Sequence, residues 1–274
     1  MRPLVDELRG KTALVTGASS GLGRAIAVRL AQAGAKIGAL GRRRAALAET
    51  STLISDQGGE CFELPIDISK PGEIARAIEQ TTTRYGDLDI LVNCAGVMYL
   101  HGPEPLERSR WEAMLRINLM ALIEGCETVV PHMMERRLDG RIVNVTSLSS
   151  RLQGGGIYGA SKLAAEKYSE ELRTRLEESN IRVSTIVPGG FSTNLARDMT
   201  ADQLAAFQAN MGSAVASAEA DQEGRTPYFG VPEDVARAVH FAVAQPSNLN
   251  ISEMIIRPAR NIDPDAFVRT KAST

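Results

Sequence analysis

The segment Lys11–Arg24, reading Lys-Thr-Ala-Leu-Val-Thr-Gly-Ala-Ser-Ser-Gly-Leu-Gly-Arg, restricts the fold of this chain more than any other. A short apolar run enters a turn in which Gly17, Gly21 and Gly23 stand as Gly-x-x-x-Gly-x-Gly, and Ala25–Ala31 then carries helical periodicity. Backbone without Cβ atoms turns tightly after a strand and lies close to an anion, which the positive end of the next helix also faces. A dinucleotide pyrophosphate is held in this way, here by Gly17, Ser19, Ser20, Gly21, Leu22 and Gly23. Gly17-Ala18-Ser19-Ser20-Gly21 also fits the Gly-x-Ser-x-Gly turn of a serine hydrolase. That alternative needs an earlier loop supplying an oxyanion N–H, whereas only some ten residues precede the strand. It also needs a late histidine, and only His240 qualifies. The phosphate reading is the stronger.

Apolar runs alternate with helical patterns from end to end. Strands are expected near 12–16, 35–40, 60–65, 88–92, 140–146, 181–187 and 251–256, and helices near 22–33, 43–57, 71–84, 108–136, 157–178 and 232–244. Runs such as Leu88-Asp-Ile-Leu-Val92 are continuous rather than alternating, as strands buried on both faces require. The pattern predicts an α/β fold, a single-domain Rossmann-type doubly wound parallel sheet of about seven strands with helices on both faces. The domain is expected over 1–260, with 194–230 as a substrate lid and 261–274 as a tail. Pro131 is expected to kink the 108–136 helix.

Composition narrows the partners. Formal net charge is −2 with both signs interspersed, which disfavours nucleic acid and anionic membrane. Cys61, Cys94 and Cys126 are odd in number and widely spaced, against a disulfide framework or a metal site. Neither a leader-like apolar block nor a membrane-length run is seen, so a cytoplasmic protein is expected.

Each later strand end adds to the ligand site. No Asp or Glu lies between Gly23 and Glu49, where a carboxylate would bind adenosine ribose hydroxyls. Gly41 takes that place, followed by Arg42 and Arg43, whose guanidinium forks suit a 2′-phosphate. NADP(H) is therefore expected over NAD(H). Asp67 and Ile68 close the third strand beside the adenine, with a simple turn cap as the alternative for Asp67. Asn93, Ala95 and Gly96 close the fourth strand beside the ribose, and Pro188, Gly189 and Thr193 close the sixth at the nicotinamide end.

Tyr158 and Lys162 are four apart on a predicted helix and share a face. A phenol loses its proton near pH 10, and an ammonium held alongside would draw that value toward neutrality. Ser147, ending the fifth strand, can bond the same oxygen that Tyr158 protonates. With Thr16-Gly-x-x-x-Gly-x-Gly23, Asn93-x-Ala-Gly96, Ser147, Tyr158-x-x-x-Lys162 and Pro188-Gly189 in order, residues 10–260 resemble the short-chain dehydrogenases/reductases. The resemblance implies Tyr158 as general acid/base, Lys162 as its modulator and a ribose ligand, and Ser147 as support for the carbonyl. It adds Asn118 in Arg116-Ile-Asn-Leu119 as the holder of a relay water. It also implies hydride transfer between NADP(H) and a small carbonyl or alcohol substrate, and a homotetramer or homodimer.

Ser147 and Tyr158 are only eleven positions apart, where about thirteen is usual in the family. An NAD-dependent dehydrogenase and a non-catalytic NADP(H)-binding sensor are the competing readings, the latter disfavoured because all four catalytic positions are filled. Tyr99, Leu100, His101, Leu148, Leu152, Gly190, Phe191 and residues 194–229 are expected to line the substrate pocket, with Arg151 or Arg197 available to a substrate carboxylate.

Overall fold

The computed structural model describes residues 7–99, 105–152, 155–193, 220, 222, 224, 226 and 228–260. The chain runs β1 (Thr12–Thr16), α1 (Gly21–Gln32), β2 (Lys36–Gly41), α2 (Arg44–Ser55), β3 (Cys61–Pro65), α3 (Glu73–Tyr85) and β4 (Ile90–Asn93). It continues through α4 (Arg108–Leu115), a π-helical turn (Arg116–Met120), α5 (Ala121–Glu135), β5 (Arg141–Val145) and a 3-10 turn (Leu148–Ser150). Last come α6 (Gly156–Arg175), β6 (Arg182–Pro188), α7 (Pro232–Val243) and β7 (Glu253–Ile256).

The strands form one seven-stranded sheet in the order β3-β2-β1-β4-β5-β6-β7. Every pairing is parallel. Burial on both faces explains the continuous apolar runs. Along β1, Ala13 and Val15 face the core made with α1, α2 and α7, while Leu14 faces the core made with α3, α5 and α6. The order reverses between β1 and β4, and a parallel sheet opens its ligand crevice at such a switch point. Thr16 ties the two strand ends together: its Oγ1 accepts from the amides of Cys94 at 2.9 Å and Ala95 at 3.0 Å.

The helix expected over 108–136 is interrupted, but not at Pro131, which sits inside an unbroken α5. Pro131 is exposed, as is Glu127, whose carbonyl it leaves unpaired by lacking an N–H, so water can meet the loss. The irregularity is instead the π turn at Arg116–Met120. Most of the expected lid, together with the tail after residue 260, lies outside the described residues. The points where the excursion leaves and rejoins the sheet edge are described, and they touch: Phe191 and Gly230 form a parallel bridge, and Ser192 N donates to Gly230 O at 3.0 Å. Among the described residues no helix is long and apolar enough to cross a membrane.

Candidate active site

A groove of about 920 Å³, open to solvent, runs along the sheet edge at the switch point. Its phosphate end is the turn between β1 and α1. Gly17 has φ +74°, and a Cβ there would lie 3.0 Å from Ala95 Cα. A Cβ on Gly23 would stand 2.3 Å from the Gly17 carbonyl oxygen, so the turn closes on α1 only without a side chain. Ser20 makes no capping side-chain hydrogen bond, and no acidic residue occupies the first turn of α1. The positive helix end therefore faces the groove without a competing carboxylate.

The expected cofactor residues separate into two groups. Gly17, Ser19, Ser20, Gly21, Leu22, Gly23, Arg42, Asp67, Ile68, Ala95, Gly96, Tyr158, Lys162 and Thr193 line the groove. Arg43, Asn93, Pro188 and Gly189 do not. Arg43 begins α2 in an exposed position, leaving Arg42 as the arginine in the groove wall. Gly41 is buried against Ser19, 3.1 Å from where its Cβ would be, so no carboxylate occupies the ribose position. Asp67 lines the wall and also caps its own turn, one oxygen accepting from Ser69 N at 3.1 Å. Asn93 points beneath the sheet, donating to Asn144 Oδ1 at 2.9 Å, while Asn144 donates to Ser169 at 2.8 Å. Its buried amide is thus engaged away from the groove. Gly189 N donates to Ile256 O at 2.7 Å, which fastens the end of β6 to β7.

The catalytic candidates meet at the other end. Tyr158 and Lys162 are 6% and 4% exposed, one turn apart on α6. Ser147 stands close enough to the Tyr158 phenol to favour its charged form. Ser147 Oγ also accepts from Ser149 N at 3.2 Å. Asn118 sits in the π turn with its amide fully engaged: Oδ1 accepts from Val97 N at 2.9 Å, and Nδ2 donates to Val97 O at 3.0 Å and Ser161 Oγ at 3.1 Å. Its side chain therefore fastens the loop after β4 to α6. Shifted backbone pairing of this kind is frequent at functional sites.

The electrostatics also differ from expectation. Burial pushes the Tyr158 phenol above its ordinary value, and Ser147 is the opposing influence. Lys162 Nζ donates to Val145 O at 2.9 Å, a main-chain partner rather than the phenol. Burial lowers Lys162 to about 8, partly countered by the Glu166 carboxylate. Cys94, a free thiol in the groove wall, is pushed up to about 12 by burial, so it is neutral here. Arg151 is not open to a substrate carboxylate, because it pairs with Glu166 and Glu253. Leu100, His101 and Arg197 lie outside the described residues.

The family model described as short chain dehydrogenase matches residues 11–204. An uncharacterized oxidoreductase of Staphylococcus saprophyticus is 32% identical over 255 residues, covering 92% of this chain and 99% of that protein. A short chain dehydrogenase from Burkholderia cenocepacia, solved in complex with NADP, superposes with a TM-score of 0.77 at 28% identity, covering 93% of this chain and 99% of the other. A 3-oxoacyl (acyl-carrier-protein) reductase from Agrobacterium tumefaciens with NADP bound gives a TM-score of 0.77 at 27% identity, with 93% and 95% covered.

Proposed function

The chain belongs to the short-chain dehydrogenase family, and on that premise we propose that it moves a hydride between NADP(H) and a carbonyl or secondary-alcohol carbon. The substrate is a small, neutral, partly apolar compound. The observation that carries this reading is the buried Tyr158, with Ser147 beside its phenol and the buried Lys162 one helical turn away, at a glycine-lined groove. The groove fits the cofactor: glycine backbone and an uncapped helix end for the pyrophosphate, and Arg42 without a carboxylate for the 2′-phosphate. NADP complexes of the structural relatives support the same choice.

When bound, the reduced nicotinamide supplies the hydride. Ser147 donates a hydrogen bond to the carbonyl oxygen and so fixes which face of the substrate is presented. Tyr158, kept protonated by its burial, gives its proton to the same oxygen. The Lys162 ammonium, held by Val145, offsets the phenolate left behind. Val97, Met114 and Ile117 pack around Tyr158 and keep water from that phenolate. Arg151 is neutralised by two carboxylates, which favours an uncharged substrate. A cytoplasmic homo-oligomer belongs to this reading, with Met120 and Leu163 about half exposed as apolar surface for a second copy.

The test is a panel of ketones, aldehydes, diketones and hydroxy acids, followed by NADPH and, separately, NADH absorbance. Turnover of one or more carbonyls with NADPH in clear preference is expected. No turnover with either nucleotide would overturn the reading, and equal use of NADH would overturn the cofactor choice.

A further inference from the structure

The turn that carries Ser147 is short, and it is held against α6 at two places. The first is steric. A Cβ on Gly155 would stand 2.3 Å from Ser149 O, and one on Gly159 2.6 Å from the same atom, so the turn lies directly on the start of the helix. The second is polar and lies two turns further along. Glu166, whose side chain is 11% exposed, directs both carboxylate oxygens back at the turn. Its Oε1 is 2.7 Å from Ser150 Oγ, which is also 2.7 Å from the main-chain oxygen of Ser147. Both partners are acceptors, so the single Ser150 proton is shared between them. Its Oε2 accepts from Arg151 Nε and Nη2, each at 3.3 Å, and Arg151 is in turn paired with Glu253 on β7.

Resting on the function proposed above, we infer that Glu166 is a positioning residue: through Ser150 and Arg151 it fixes the Ser147 turn on α6, setting the Ser147 hydroxyl opposite Tyr158. Ser147 and Tyr158 come from different elements, so their alignment depends on what joins the turn to the helix. A glutamate at this place makes that join from the helix that also carries Tyr158 and Lys162. With fewer residues between Ser147 and Tyr158, the turn has less chain of its own to settle on, and the carboxylate supplies the missing anchor. Glu166 touches neither substrate nor cofactor in this arrangement.

Two measurements on the full chain decide it. Amide hydrogen exchange needs no substrate: Glu166→Ala is expected to speed exchange at Ser149 and Ser150 about tenfold, leaving the middle of α6 unchanged. Kinetics with a carbonyl from the panel should show kcat reduced by about tenfold or more and KM for NADPH unchanged, as for a misplaced reacting group. Glu166→Gln, which still accepts a hydrogen bond, should recover most of that loss. In a Ser147→Ala background, Glu166→Ala should cost nothing further. Unchanged exchange in a folded Glu166→Ala chain, or an equal added loss in the Ser147→Ala background, would overturn the inference. Should Glu166→Ala fail to fold, Ser150→Ala removes one link alone and is read the same way. Were the unmodified chain to reduce no carbonyl, the proposed function would fail while the exchange result still decided the clamp.

Discussion

Lys162 stands one helical turn from Tyr158, yet its ammonium is fastened 2.9 Å from the carbonyl of Val145. The partner of the lysine is thus main chain rather than the phenol. Burial holds the phenol above its ordinary value, so at neutral pH Tyr158 is ready to give a proton rather than take one. Lys162, at about 8, keeps its charge at neutrality and sheds it above. Carbonyl reduction should be flat from about pH 6 to 7 and fall through about pH 8, with alcohol oxidation gaining as pH rises. Initial rates across pH in both directions check this, and a reduction rate that climbs past pH 9 would contradict it. Tyr158→Phe should lower kcat about a thousandfold or more while NADPH binding stays near normal.

The same buried charge affects stability. Lys162 has a folded value near 8 against an ordinary 10.5, so below about 8 both folded and unfolded chains carry the proton and the folded one bears the full cost of burying it. Between about 8 and 10.5 the folded chain releases the proton first, and this residue's contribution improves with pH. Lys162→Met should therefore raise Tm at pH 7 while removing activity, the usual exchange of function for stability. A lower Tm in that variant would show that the bond to Val145 outweighs the desolvation.

Arg42 is the arginine of its pair that lines the groove. Losing a charge-assisted contact with a phosphate typically costs ~1.5–3 kcal/mol. Arg42→Ala should raise Kd for NADPH by roughly tenfold or more, with NADH changed by about twofold at most. Arg43→Ala should affect neither. Fluorescence titration with the two nucleotides separates these outcomes, and equal losses for both would remove the 2′-phosphate role.

Gly23 is a second point of sensitivity. A methyl group there meets main-chain oxygen at 2.3 Å, and backbone cannot swing aside as a side chain could. Gly23→Ala should cost ~1–3 kcal/mol of stability, seen as a Tm several degrees lower, and should weaken NADPH binding because the phosphate turn must open. A variant with unaltered Tm and Kd would show that the turn tolerates expansion.

Asn93 behaves oppositely. Its amide pairs with Asn144 under the sheet, so Asn93→Ala leaves a buried partner unsatisfied, worth ~1–3 kcal/mol. Thermal denaturation should show the loss, while NADPH affinity stays within about twofold. A large affinity loss at constant Tm would return Asn93 to the cofactor site.

The alternation of elements was legible because strands buried on two faces and helices buried on one leave different periods in the sequence. So were the glycines of the phosphate turn, whose spacing reflects backbone-to-backbone approach. Which way Asn93 turns was not legible, because neighbouring strand residues face opposite sides: Cys94 lines the groove, and Asn93 bonds Asn144. The π turn around Asn118 was invisible since it shares its hydrophobic spacing with the flanking helices. What sets it apart is a side chain bonded to Val97, a contact between distant segments. Pro131 looked disruptive only while its solvent exposure was unknown. Arg151 read as a partner for a substrate carboxylate and Glu166 gave no signal, because nothing in their spacing reveals that a turn and a helix will be pressed together.

Phe191 and Gly230 meet so closely that a Cβ on Gly230 would lie 2.4 Å from the aromatic ring. The chain therefore leaves the sheet edge and returns to it at neighbouring points. A side chain at position 230 would have to push the Phe191 ring aside and so loosen the place where those two points meet.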